Sequence, residues 1–183
     1  RLIMRITKND TQGLIIDIQE RLFPHIFDHQ VIGKNTTILI KGLQILEIPV
    51  HVSEQYTKGL GFTVPEIQNA LGSLYKPMEK TAFSCCDDEA INQVINSEKK
   101  NIIIAGIEAH VCVLQTVVDL LEKNLQPVVV SDCISSRKTD DKKVAIERMR
   151  DEGAIITTYE SILFELARFS GTAEFKEISK LVK

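Results

Sequence analysis

Five short stretches of this chain are apolar almost without interruption: "GLIIDIQ" (13–19), "IPVHVSEQ" (48–55), "NIIIAG" (101–106), "QPVVVSDC" (126–133) and "AIITTY" (154–159). They are rich in β-branched residues and bounded by Gly, Pro or Asn, the pattern of strands buried on both faces. Between them the pattern turns helical. One helix is predicted from Gln30 to Leu46. "DDEAINQVINSEKK" (87–100) opens on acids and closes on bases, as a helix dipole favours. "HVCVLQTVVDLLEKN" (110–124) puts Val111, Leu114, Val118, Leu121 and Leu125 on one stripe, with Val117 and Leu120 beside it. "KTDDKKVAIERMRDEG" (138–153) ends on a Gly that can cap it, and two more helices are predicted near Ser161–Phe169 and Ala173–Val182. Strands alternating with helices imply an α/β fold, a three-layer sandwich whose central, mostly parallel, doubly wound (Rossmann-like) sheet is flanked by helices. No repeat, low-complexity tract or linker divides the 183 residues, which read as a single domain over 1–183.

Composition narrows the function. The chain is 44% hydrophobic, enough for one well-buried core and too little for two. Its charged residues, 26% of the total with a net charge of −3, are interspersed, with no basic block to neutralise phosphates; nucleic acid is not an expected partner. No apolar run approaches the roughly 20 residues of a spanning helix, so neither is a membrane. The four cysteines include the adjacent Cys85 and Cys86, awkward for a disulfide framework. All four read as thiols in a reducing compartment, the cytoplasm. In that setting the sequons at Asn9 and Asn35 carry no meaning. The opening "RLIMRITKND" is too short to read as a targeting segment.

In a doubly wound sheet, ligands bind beyond the carboxyl ends of the strands. Asp17 sits at such an end, where a carboxylate is costly unless paired or functional, or caps the next turn. Cys112 follows "NIIIAG" after a short loop, where a helix is predicted to begin. Unpaired N–H groups and the dipole there can lower a thiol's pKa from about 8.5 to roughly 3.5–7.5. The plainer alternative is a small core residue. Lys80, among Met78, Ala82 and Phe83, is either a buried cation in need of an anion or a surface lysine whose stem covers apolar neighbours. No histidine stands out as a base for the thiol: His110 is two residues from Cys112 and faces elsewhere on a helix, His25 and His29 read as solvated, and His51 lies mid-strand. No zinc spacing or phosphate loop is present.

Taken together, an early strand ending in Asp, a mid-chain Lys and a Cys opening the helix after "AG" resemble the isochorismatase-like cysteine hydrolases, in particular the isochorismatase domain-containing branch. "DIQERLF" (17–23), "SEQYTKGLGFTVPEI" (53–67), "EKTAFS" (79–84), "AGIEAHVCVLQTVVDLL" (105–121), "DCISSR" (132–137) and "FKEISKLVK" (175–183) carry the likeness over essentially the whole chain. The resemblance implies a catalytic triad of Asp17, Lys80 and Cys112, with Asp17 as proton carrier, Lys80 as electrostatic support and Cys112 as nucleophile. It also implies a cis peptide between Ile107 and Glu108, and an oxyanion hole of the Glu108 and Cys112 N–H groups. Phe23, Gln55, Tyr56 and Phe83 are expected to line the substrate pocket. "VHVSEQYTKGLG" (50–61) departs from the Asp/His metal site of nicotinamidase relatives, so no metal and no cofactor are expected. Glu108 stands where many amidases of the family have Thr. A cysteine favours acyl chemistry, so the expected activity is hydrolysis of an amide-like C–N bond in a small molecule, by a homo-oligomer. Two alternatives stay open: a thiol sensor pairing Cys112 with Cys85 or Cys86, and a catalytically silent oligomeric binding module.

Overall fold

A computed structural model describes residues 5–95 and 98–183. The first strand, β1 (Thr11–Ile16), leads through α1 (His29–Ile45) into β2 (Val50–Gln55). A short helix α2 (Thr57–Leu60), a second, α3 (Pro65–Leu71), and the three-residue strand β3 (Met78–Lys80) follow. The chain then crosses through α4 (Glu89–Ile95) to β4 (Asn101–Ile107), on the other side of β1. After β4, a single π-helical turn over Ala109–Val113 runs into α5 (Leu114–Glu122). The remainder is β5 (Gln126–Ser135), α6 (Thr139–Glu152), β6 (Ile155–Thr157), α7 (Tyr159–Ala167) and α8 (Ala173–Leu181).

All five strand pairings are parallel, in the order β3-β2-β1-β4-β5-β6. Strand order reverses at β1, whose last residue, Ile16, pairs with Ser53 of β2 on one side and Gly106 of β4 on the other. The switch point of the fold therefore lies beyond Ile16 and Gly106. Gly106 is required there: a Cβ on it would run into the Ile16 carbonyl oxygen.

Alternate strand residues feed two cores, one on each face of the sheet. Ile15, Ile103, Ala105, Val128 and Val130 pack with Leu39, Ile40 and Leu43 of α1, Ile162, Leu163 and Leu166 of α7 and Ile178 of α8. Leu14, Ile16, Ile102, Ile104 and Val129 pack with Ile91 and Ile95 of α4, Val117 and Leu120 of α5 and Ala145 and Met149 of α6. Burying one such side chain contributes about 1.5–3 kcal/mol, so the two layers hold the sheet rigidly between them.

The fold is the three-layer α/β arrangement expected from the sequence, with local differences. β3 and α3 were not anticipated. β3 is short and half polar, and α3 is only seven residues long with Pro65 at its start. Of the predicted 87–100 helix, Glu89–Ile95 is helical, residues 96–97 lie outside the described residues, and 98–100 are not helical. The predicted strand 154–159 stops at Thr157, because Thr158 caps α7 by accepting from the Ser161 N–H at 3.4 Å. Gly153 closes α6 with a left-handed φ of 115°.

Candidate active site

The carboxyl ends of β1, β2, β3 and β4 bring together four side chains: Asp17, Gln55, Lys80 and Cys112. Asp17 leaves β1 with φ 55°, a left-handed turn that aspartate tolerates better than most residues. Its N–H still donates to the Ser53 carbonyl at 3.1 Å, so the residue is tied to β2 while its side chain turns out of the strand. The carboxylate is 1% exposed. Oδ1 accepts from the Ser53 hydroxyl at 2.7 Å and Oδ2 from Lys80 Nζ at 2.7 Å.

Lys80, the last residue of β3, is 2% exposed. An ammonium has three donors and no acceptor. Here Nζ donates to Asp17 Oδ2 at 2.7 Å, to Gln55 Oε1 at 2.8 Å and to the Ala82 carbonyl at 3.1 Å. Burial works against the ammonium, but the Asp17 carboxylate outweighs it, joined by the sulfurs of Cys112 and Cys85 once these ionise at alkaline pH, and its pKa is raised above the ordinary lysine value. Lys80 is thus a fixed cation at neutral pH.

Gln55 is held in turn. Its Nε2 donates to the Thr81 carbonyl at 2.9 Å, and its N–H donates to Gln19 Oε1 at 2.7 Å. Gln19 is fully buried and donates through Nε2 to the carbonyls of Gln55 and Gly61 at 2.9 and 2.8 Å, clipping the β1 end to the loop after β2.

Cys112 lies within the π-helical turn, 7% exposed. Its thiol faces Gln55 Oε1 at 3.7 Å, the oxygen that also accepts from Lys80, with the Asp17 carboxylate close enough to act on it. The sequence placed this thiol at a helix N-terminus that would lower its pKa. The structure shows the opposite. Burial pushes the thiol well above its ordinary value, and the Asp17 carboxylate pushes it further, with Lys80 opposing. The sulfur is therefore protonated at rest, beside an anion able to take its proton.

Among the other expected residues, the Ile107–Glu108 peptide is cis. Glu108 is 7% exposed and its carboxylate is engaged: Oε1 accepts from Arg137 Nε at 2.5 Å, Oε2 from the Arg137 N–H at 3.1 Å. Tyr56 and Phe83, each 52% exposed, flank the site on the chain, and the Tyr56 N–H donates to the Lys80 carbonyl at 3.0 Å. Phe23 packs in the core cluster on the α1 side with its ring edge against His29, whereas Cys112 belongs to the cluster on the α5 side. Cys85 is fully buried under α5, its N–H donating to Thr116 Oγ1 at 2.9 Å, and burial raises its thiol to about 11. All four cysteines are free. Sequence reasoning gave Ser53 no role, although a polar residue after "VHV" at a strand end was a signal. It quoted Arg137 only within a motif. Among the described residues no three His, Cys, Asp or Glu side chains converge as metal ligands.

An Isochorismatase domain profile matches residues 11–161. Isochorismatase domain-containing protein 2 of Danio rerio is 37% identical, over 98% of this chain and 90% of its own length. The solved MAR1 ribonuclease of Caenorhabditis elegans is 39% identical and superposes with a TM-score of 0.92, over 98% of this chain and 92% of that one. YcaC of Escherichia coli, described as an octameric hydrolase of unknown specificity, is 22% identical with a TM-score of 0.90, over 99% of this chain and 92% of that one, and shares the fold.

Proposed function

Because the chain belongs to the isochorismatase family, we propose that it is a metal-independent cysteine hydrolase that cleaves an amide-like C–N bond in a small molecule, with Asp17, Lys80 and Cys112 as its catalytic residues. The observation that carries this reading is the Asp17 carboxylate, bonded by Lys80 Nζ at 2.7 Å, next to a Cys112 thiol that faces Gln55 Oε1, the oxygen Lys80 also grips. A protonated, buried thiol is a poor nucleophile by itself, and a base within hydrogen-bond reach resolves that.

In this reading hydrolysis runs through an acyl-enzyme in two halves. As Cys112 Sγ adds to the substrate carbonyl carbon, its proton passes to Asp17 and the carbonyl π electrons move onto oxygen. The N–H groups of Glu108 and Cys112 receive that oxyanion. Collapse expels the amine, which takes the proton from Asp17, and leaves a thioester on Cys112. Water then adds to the thioester carbonyl, giving its proton to Asp17. The second collapse releases the acid, and the proton returns to sulfur. Lys80 moves no proton in this scheme. It holds Asp17 in place and keeps it ionised between transfers.

Homo-oligomerisation belongs to the same reading, supported by the octamer described for the E. coli neighbour. A second reading comes from the C. elegans relative, named a ribonuclease. The net charge of −3 and the full engagement of Lys80 by protein acceptors weigh against phosphodiester chemistry at this site. One panel separates the readings: small amides and esters beside a single-stranded RNA, each with native protein and Cys112→Ala. Amide or ester hydrolysis lost in Cys112→Ala is the expected result. RNA cleavage that survives Cys112→Ala would refute it.

A further inference from the structure

Gln55 is the one member of the buried cluster to which the hydrolysis scheme gives no task. It is buried, and its amide is fixed at both ends. Nε2 donates to the Thr81 carbonyl at 2.9 Å, and Oε1 accepts from Lys80 Nζ at 2.8 Å. A flipped amide would set its NH₂ against the ammonium and its oxygen against the Thr81 carbonyl oxygen, so only one orientation satisfies both neighbours. The main chain is fixed as well: the Gln55 N–H donates to Gln19 Oε1 at 2.7 Å, and Gln19 Nε2 donates to the Gln55 carbonyl at 2.9 Å. A carbonyl oxygen that cannot turn away is thereby held against the Lys80 ammonium and against the Cys112 sulfur, 3.7 Å from it.

That placement acts on the sulfur in two ways. An S–H finds an acceptor in Oε1, whereas a thiolate would face the negative end of a carbonyl dipole. A hydrogen bond made by the neutral form disfavours the charged one. The second effect runs through Lys80. An ammonium has three protons, and here they go to Asp17 Oδ2, Gln55 Oε1 and the Ala82 carbonyl. Lys80 therefore offers the sulfur its charge but no hydrogen bond, and one of the N–H groups that could make that bond is held by Gln55.

We infer that Gln55 keeps the nucleophile latent: its Oε1 gives the resting Cys112 S–H an acceptor and occupies a Lys80 N–H that an ionised sulfur would use, so that ionisation waits for substrate and for transfer of the proton to Asp17; this deepens, and rests on, the cysteine-hydrolase reading. Gln55 is then a positioning residue that acts through Lys80 and Cys112. A thiol kept this way does not react with stray electrophiles between turnovers.

The test compares Gln55→Met, which keeps the length of the side chain and removes the acceptor, with Gln55→Glu, which keeps an acceptor oxygen in place. The ultraviolet absorbance of the thiolate is titrated as the difference between each protein and its own Cys112→Ala counterpart. That difference isolates Cys112 and needs no reagent to reach it. Gln55→Met is expected to ionise about one pH unit below the native chain, and iodoacetamide should label its Cys112 about tenfold faster at pH 8. Gln55→Glu should ionise no earlier than the native chain. A merely loosened site would shift both variants alike, whereas loss of the acceptor shifts only the first. Coinciding titrations of the native chain and Gln55→Met overturn the inference, and so does an equal downward shift in both variants. Should Gln55→Met fail to fold, Gln55→Leu takes its place against Gln55→Glu. The catalytic reading fails separately, through hydrolysis that persists in Cys112→Ala, and the titration involves no turnover.

Discussion

Lys80 Nζ lies 2.7 Å from Asp17 Oδ2 with both side chains closed to solvent, 0% and 1% exposed. Two residues 63 positions apart have become one electrostatic unit. Breaking such a pair from one side strands the remaining charge and costs about 3–5 kcal/mol. Lys80→Met is expected to be worse than Asp17→Asn, because Gln55 Oε1 and the Ala82 carbonyl lose their donor too. The double variant should cost clearly less than the sum of the two singles. Urea unfolding with unchanged m-values measures all three. Additive losses would mean that the two charges are not coupled.

The same carboxylate raises the Cys112 thiol by its charge and its hydrogen bond, while Lys80 lowers it. Asp17→Asn removes the first influence and leaves the second. Thiolate at Cys112 should then become more populated, and iodoacetamide should label it faster at pH 8–9 than in the native chain. Turnover should move the other way, down about 10²–10⁴-fold, because the proton carrier is gone. Stopped-flow labelling and steady-state hydrolysis on one preparation check both. Parallel loss of labelling and turnover would show that Asp17 promotes ionisation of the sulfur, by taking its proton, more than its charge opposes it.

The sequence disclosed the architecture because buried parallel strands leave long apolar runs, and those runs are separated by helices with clear stripes. It disclosed Asp17 because a carboxylate closing "GLII" is conspicuous. It could not disclose the state of Cys112. A dipole argument sees the helix start near the sulfur, but not that this start is a π-helical turn or that Asp17 arrives from β1 to press the thiol pKa upward. β3 escaped because three residues at a sheet edge, two of them charged, show no period. Lys80 was weighed as a buried cation only because of its apolar neighbours. Ser53 and Gln19, which hold Asp17 and Gln55, act through contacts 36 residues apart that no local pattern encodes.

Alkaline pH gives a test of the interior that needs no substrate. The thiols of Cys85, Cys86, Cys112 and Cys133 all titrate above their ordinary value of 9.0, each chiefly because burial disfavours the thiolate. A group whose folded pKa is raised keeps its proton longer in the folded chain than in the unfolded one. Below pH 9.0 both states hold these protons, and stability is insensitive to them. Above it the unfolded chain releases them first, and stability falls as pH rises, up to about 11 for Cys85. Each thiol contributes a slope of about 1.4 kcal/mol per pH unit, so four contribute about 5.5 kcal/mol per unit. Lys80 adds to the trend at higher pH: its raised folded pKa gives stability that is complete below 10.5 and lost as pH climbs through the folded value. Unfolding free energies should therefore hold level up to about pH 9 and then drop steeply. Cys133, fully buried in the cluster on the α1 side while Cys112 belongs to the other, isolates one share. Cys133→Ala will cost some stability at every pH through lost packing, but its slope above pH 9 should be about one-quarter shallower. An unchanged slope would mean that the Cys133 thiol ionises in the folded chain as readily as in the unfolded one.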